Sequence, residues 1–432
     1  MATYIINGGK KLHGVADVRG AKNSAVSAMC ACLLTSEPIT ITAAPRIAEV
    51  DSMAKVLGSL GVDIRWHGND LYLHAPKRLH LGRIDTVAAI RTRSVLLLLG
   101  ALLNRTSRFS IPRAGGCQLG RRTVLPHLYA LERFGVKIRT THFAYRVQRP
   151  ATVRGADVTM YESGDTPTEN VLFAAVLAKG VTTVTLASAN YQVQDLCHLL
   201  AAMGAKIDGI GTTTLVIEGV RKLHGTHYDL IPDPTEAMFW LSLAATTRST
   251  LTIRGCPEDF LKLELLKLEK MGFDCTVLRR YPSKSGYFTL ADLRTKPGRL
   301  TALDDKIYGR PFPGLNIDNL PFFVPVATQA RGSTLIHDWV YENRAIYYME
   351  FAKLGATIHL ADPHRVFITG PTPLKPAEIM CPPALRPATI LVIGMLGAKG
   401  KSILRGTYSI DRGYEKLSTR LRKLGADIKE IP

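Results

Sequence analysis

The chain has 432 residues, ordinary hydrophobic content, few aromatic side chains and a formal net charge of +19. Its length exceeds what one hydrophobic core organises, and its strongest apolar run, Val95 to Leu103, is far shorter than the roughly 18 residues of a membrane span. The opening Met1-Ala2-Thr3-Tyr4 lacks the charged head and apolar segment of a secretory leader, and seven cysteines without a C-x-x-C pair argue against a disulfide framework or zinc site. The expectation is a cytoplasmic α/β protein of two domains with no metal.

Six times a helix-like stretch ends on a glycine and passes into a short strand. The glycines are Gly61, Gly135, Gly204, Gly272, Gly355 and Gly425, spaced 74, 69, 68, 83 and 70 residues apart. Glycine has no Cβ to clash in the left-handed position that closes a helix, so each mark predicts a helix stop and then an apolar strand. The spacing is too long for a solenoid unit and suits a small packed module.

In chain order, Tyr4-Ile5-Ile6-Asn7 reads as a strand that falls outside the first module and pairs with the last one. Gly20-Ala21-Lys22-Asn23-Ser24 comes ahead of an apolar helix from Ala25 to Leu34, so backbone N–H groups, the helix dipole and Lys22 favour an anion there. The same pentapeptide also fits a surface lysine beside an Asn or Ser cap. Ile39-Thr40-Ile41 reads as a strand, and Val50-Met53-Val56-Leu57-Leu60 as the apolar face of a second helix. Val171 to Ala178 repeats the first helix. The unit is of the β-α-β-α-β-β type. Three units occupy residues 20–231, and three run from 232 to 432 with residues 1–19 added, so the chain crosses between domains twice and a cleft between them is the expected ligand site.

The positive charge gathers partly at Arg91 and Arg93, at Arg113, Arg121 and Arg122, and at Arg412, beside glycines or expected helix starts. No basic tract interleaved with aromatics is present, so small anions are the expected partners and nucleic acid is not. The segment Pro112-Arg113-Ala114-Gly115-Gly116-Cys117-Gln118-Leu119-Gly120-Arg121-Arg122 sets one cysteine among three glycines and adjacent arginines. Such surroundings lower a thiol pKa and make it a nucleophile or proton donor, while a buried inert thiol is the bland alternative.

The GAKN box, the loop at Cys117, Phe312-Pro313 with Asp318 downstream, Val340-Tyr341-Glu342-Asn343-Arg344, Leu385-Arg386 and Ile410-Asp411-Arg412-Gly413-Tyr414-Glu415 occur together and in order. In this the chain resembles the UDP-N-acetylglucosamine 1-carboxyvinyltransferase family, relatives of EPSP synthase, over essentially its whole length. The resemblance implies a two-domain inverted α/β barrel with three repeats per domain, transferring the enolpyruvyl group of phosphoenolpyruvate to a hydroxyl without cofactor or metal. It implies that Lys22, Arg122 and Arg412 hold the donor phosphate, and that Arg344 and Arg386 lie near its carboxylate. Cys117 would act as an acid toward the donor methylene, and Asp318 would take the proton of the attacking hydroxyl. Asn23, Arg93, His127, Thr166 and Tyr341 fall on the side of a nucleotide-type acceptor.

Several acceptor-side positions differ from the family pattern. Glu162 and Gly164-Asp165-Thr166-Pro167-Thr168 stand where the family has a lysine followed by Ser-Val-Gly, and Ala384 replaces an aspartate two residues before Arg386. Three functions remain open: transfer to UDP-N-acetylglucosamine, which would belong to peptidoglycan precursor synthesis; the same transfer to another nucleotide or nucleoside phosphate; and anion or RNA binding without catalysis.

Overall fold

The computed structural model describes residues 2–115 and 123–431. The chain divides into two compact units. Among the described residues, one comprises 20–115 and 123–231, and the other 2–19 and 232–431.

Each unit contains three sheets among the described residues. In the unit of residues 20–231, Asp70–His74 lies between Ile39–Thr42 and Asp63–His67, antiparallel to both. Thr226–Asp229, from the far end of the unit, joins parallel to Ile39–Thr42 and closes it. The same pattern, a parallel strand from distant sequence added to an antiparallel set, recurs where Asp157–Thr159 meets Val181–Thr185. The third sheet has three described strands, with Ala144–Gln148 between Arg108–Pro112 and Lys137–Thr140. In the other unit His13–Asp17 runs parallel to Thr250–Pro257. The opening strand Thr3–Gly8 lies between Gly400–Arg405 and Asp427–Ile431, antiparallel to both, in the sheet of the last module, as the sequence suggested.

All six marker glycines have positive φ, between 74° and 98°. At Gly355 the backbone is left-handed (φ 82°, ψ 9°) and its N–H donates to the Ala352 carbonyl, which ends the preceding helix. That helix, Ala345–Leu354, is a 3-10 helix along its whole length, where the common grammar predicted an ordinary one.

Two kinds of helix alternate. Lys22–Ala31, Asp165–Ala175, Pro234–Thr247 and Leu385–Gly397 are buried on nearly every side after their first residues, and the small residues in them let neighbours approach closely. Ala48–Ser59, Tyr191–Ala202 and Lys262–Lys270 keep part of their surface exposed. An interior helix is buried all round, so its charged side chains reach open space most easily from its ends. This is why Lys22, Thr166 and Arg386 each sit in the first turn of such a helix. Among the described residues no helix is long and apolar enough to cross a membrane.

Candidate active site

In the unit of residues 20–231, helix Lys22–Ala31 begins at Lys22 itself, one turn earlier than expected, and no side chain caps it. The Lys22 ammonium is 3.7 Å from Glu49 Oε2, and both side chains are largely buried. The other oxygen of Glu49 accepts from Thr92 Oγ1 at 2.8 Å and from Ser94 Oγ at 3.3 Å. Thr92 is the cap of the 3-10 helix Arg93–Leu97, its Oγ1 accepting from the Ser94 N–H. Glu49 therefore ties the first turn of one helix to the cap of another. Lys22 is a partly enclosed cation with a built-in counter-ion, in place of the free surface lysine that the pentapeptide also allowed. Arg93, on that 3-10 helix, donates through Nη2 to the Thr123 carbonyl at 2.7 Å. Asn23 Nδ2 donates to the Tyr191 hydroxyl at 3.2 Å.

Thr166 is half-buried in the first turn of Asp165–Ala175. Its neighbour Asp165 accepts from Ser188 Oγ at 2.5 Å and Asn190 Nδ2 at 2.9 Å, so the carboxylate is fixed at the start of the helix. His127 is placed differently from its acceptor-side expectation. It is only 2% exposed, and its Nδ1 lies 2.8 Å from Asn170 Nδ2. Asn170 also bonds to the Leu96 carbonyl and the Gly100 N–H, which makes this a packing network between helices.

In the other unit, Asp318 lies in the turn before the 3-10 helix Leu320–Phe322, whose cap is Asn319, not Asp318. The Asp318 carboxylate faces two guanidiniums: Oδ1 is 3.6 Å from Arg344 Nη1, and Oδ2 is 3.5 Å from Arg386 Nη2. Arg386 is the second residue of Leu385–Gly397, and its Nη1 donates to the Tyr414 hydroxyl at 3.1 Å. Burial pushes the Asp233 carboxyl up, with the Arg386 guanidinium pulling the other way. Arg344 is almost wholly buried. Burial presses its pKa down, but Tyr348 and Asp338 facing it outweigh this and raise it, so the guanidinium stays charged. The Tyr341 ring packs under it, 4.3 Å from its central carbon.

Arg412, beside Gly413, caps the C-terminal end of the short helix Tyr408–Asp411, where the dipole favours a cation. Cys117 and Arg122 lie outside the described residues. The six described cysteines have thiol pKa values raised mainly by burial, which pushes Cys32, Cys275 and Cys381 up to about 12. Among the described residues no group of three or more His, Cys, Asp or Glu side chains could hold a metal ion.

The structure thus brings Asp318, Arg344, Arg386 and Tyr341 together in one unit. Lys22 and Arg93 in the other are linked through Glu49 and Thr92. Sequence reasoning missed Glu49, Asp165 and Asp338 as organisers. Only Asp165 left a trace, as an acid in a segment where the family pattern is cationic.

Comparison with known proteins places the whole chain. Residues 6–429 match the family described as EPSP synthase (3-phosphoshikimate 1-carboxyvinyltransferase). The chain belongs to the EPSP synthase family. It is 35% identical over 431 residues to the UDP-N-acetylglucosamine 1-carboxyvinyltransferase of Bradyrhizobium diazoefficiens, covering 99% of this chain and 98% of that protein. It is 36% identical over 430 residues to the protein of that name from Treponema pallidum, with 99% of each chain covered. Among solved structures, the enolpyruvyl transferase NikO from Streptomyces tendae superposes with a TM-score of 0.85 at 24% identity, over 100% of this chain and 99% of that one. EPSP synthase from Acinetobacter baumannii gives 0.79 at 19% identity over the whole of both chains. These structures share the two-domain inverted α/β barrel with this member of the EPSP synthase family, which is a family of carboxyvinyl transferases.

Proposed function

We propose that the protein transfers the enolpyruvyl group of phosphoenolpyruvate to a hydroxyl of UDP-N-acetylglucosamine and releases phosphate, a step of peptidoglycan precursor synthesis. The observation that carries this reading is the Asp318 carboxylate set against Arg344 and Arg386 in a chain whose full-length relatives bear that activity in their names. In the proposed sequence, Asp318 takes the proton of the acceptor hydroxyl while that oxygen bonds to the central carbon of the donor. Cys117 delivers a proton to the donor methylene, giving a tetrahedral adduct. Loss of a proton from the new methyl group and departure of phosphate restore the double bond. The donor carries close to three negative charges, and guanidinium forks and an ammonium suit such oxyanions. Lys22, Arg122 and Arg412 are assigned to the phosphate and Arg386 to the carboxylate. Asn23, Arg93 and Thr166 are assigned to the acceptor.

The test is phosphate release from phosphoenolpyruvate with UDP-N-acetylglucosamine. Release with that acceptor supports the reading, and none with any acceptor overturns it. A second reading keeps the reaction but changes the acceptor to another nucleotide or nucleoside phosphate. It is favoured by the fixed Asp165 carboxylate at the first turn of Asp165–Ala175: a pyrophosphate held there would meet like charge, which suits an acceptor whose phosphate lies elsewhere. Release with a different nucleotide, and none with UDP-N-acetylglucosamine, selects it.

A further inference from the structure

Asp338 and Arg344 form the most completely enclosed ion pair among the described residues, 0% and 1% exposed. Arg344 Nε donates to Asp338 Oδ2 at 2.6 Å and Nη2 to Asp338 Oδ1 at 2.9 Å, so the planar fork is fully engaged on one carboxylate. The second hydrogen of Nη2 goes to the Ile317 carbonyl at 2.7 Å. A guanidinium has five N–H donors. Three are committed, and the two on Nη1 face Asp318. Asp338 is itself held: Tyr348 donates its hydroxyl to Oδ2 at 2.5 Å, the Asp338 N–H donates to the His364 carbonyl at 2.7 Å, and His364 Nδ1 lies 3.0 Å from the Asp338 carbonyl. Burial raises the Tyr348 phenol well above its ordinary pKa, so that donor is permanent.

We propose that Asp338 is a positioning residue for Asp318: it pins Arg344 so that this arginine secures residues 317–318 from two points, the Ile317 carbonyl and the Asp318 carboxylate. The fork of Arg344 is held by Asp338, and its Nη1 lies 3.6 Å from Asp318 Oδ1. Arg386 donates through Nη1 to the Tyr414 hydroxyl and has Nη2 3.5 Å from Asp318 Oδ2, so it holds the same carboxylate from the other side. This proposal rests on the reading of Asp318 as the proton acceptor.

The experiment compares Asp338→Asn, Tyr348→Phe and Asp318→Asn in the full chain, by phosphate release with phosphoenolpyruvate and the acceptor the enzyme accepts. Asp338→Asn is expected to lower kcat by about tenfold or more while KM for phosphoenolpyruvate changes by less than about threefold. Tyr348→Phe keeps the ion pair and should show the same pattern at about two- to fivefold, so it decides the matter if Asp338→Asn does not fold. An unchanged kcat with a raised KM overturns the positioning role. Asp318→Asn is expected to abolish turnover. If it turns over normally, the assignment of the proton acceptor fails. If it is dead while both other variants behave as the parent protein, only the role of Asp338 is lost.

Discussion

Two buried acidic clusters, one in each unit, solve the same problem in opposite ways. Around Asp195 in the unit of residues 20–231, the carboxyl accepts from the Tyr228 hydroxyl at 2.7 Å and from the Ile231 N–H at 3.3 Å, and burial pushes its pKa up to about 7. Nearby Glu169 is also driven well up by burial, with Asp165 adding to the effect and only Gln192 and Ser27 opposing it. In the other unit Asp338, equally buried, faces a guanidinium and a phenol. Where only neutral donors are at hand, burial raises the pKa of the acid, and where a fork of N–H groups is built in, carboxylate and fork hold each other in a fixed orientation. The first arrangement is a packing solution. The second can hold a reactive carboxylate in place.

The rule extends to the thiols, where it makes its largest prediction. With thiol pKa values near 12 against an ordinary 9.0, Cys32, Cys275 and Cys381 hold about a thousandfold less thiolate at neutral pH. An epoxide phosphonate or a small alkylating agent is therefore expected to label Cys117 and spare the other six in the native protein, as read by peptide mass mapping. Labelling spread evenly over all seven would break the rule. A Cys117→Asp protein should retain turnover and lose the labelling if the side chain serves as an acid.

Next in size is the removal of the built-in cation. Arg344→Met leaves Asp338 buried beside a hydrophobic chain and should cost about 3–5 kcal/mol in urea unfolding. A loss below about 1 kcal/mol would mean that the buried pair adds little to the folded state, and the contrast between the clusters would vanish.

The protonated cluster gives a pH signature of comparable size. An acid whose pKa is raised in the native state binds its proton more tightly there. Its contribution is complete below the unfolded value of 3.8 and is lost as pH rises toward and through about 7. Asp195→Asn, which keeps an acceptor for Tyr228, should remove this slope, worth on the order of 4 kcal/mol between those limits. Unfolding curves at pH 4.5 and 7.5 for parent and variant provide the check, and parallel losses in both proteins would count against it.

The smallest effect concerns Glu49, which combines both behaviours, accepting from two hydroxyls and facing Lys22 at 3.7 Å. Glu49→Gln preserves an acceptor for Thr92 and Ser94 and removes the charge that competes for Lys22. KM for phosphoenolpyruvate should fall about two- to fivefold without a rise in kcat. A rise in KM would instead make Glu49 the residue that aims Lys22.

How much of this was legible in the chain differs from element to element. The six glycines were readable because a positive φ excludes nearly every other residue at no energetic gain, so the constraint is written in one letter. Arg386 stood out in the sequence within Leu385-Arg386, yet nothing along the chain says that it heads helix Leu385–Gly397 and lies 3.5 Å from a carboxylate 68 positions earlier. The 3-10 character of Ala345–Leu354 also escaped, since 3.0 and 3.6 residues per turn leave similar apolar patterns over so short a stretch. The resemblance set His127 on the acceptor side, and the structure holds it in the interior beside Asn170, 43 positions away.

What the sequence determined alone is therefore what depends on neighbours along the chain: module length, helix ends, strand alternation, and the kinds of chemistry that lysine, arginine, cysteine and aspartate can supply. What the tertiary structure decided is which charges are spent on one another. Asp338 on Arg344, Glu49 on Lys22 and Asp165 on Ser188 and Asn190 are pairings made by packing, in which burial raises the stake on every polar group and the partner that packing supplies settles its state.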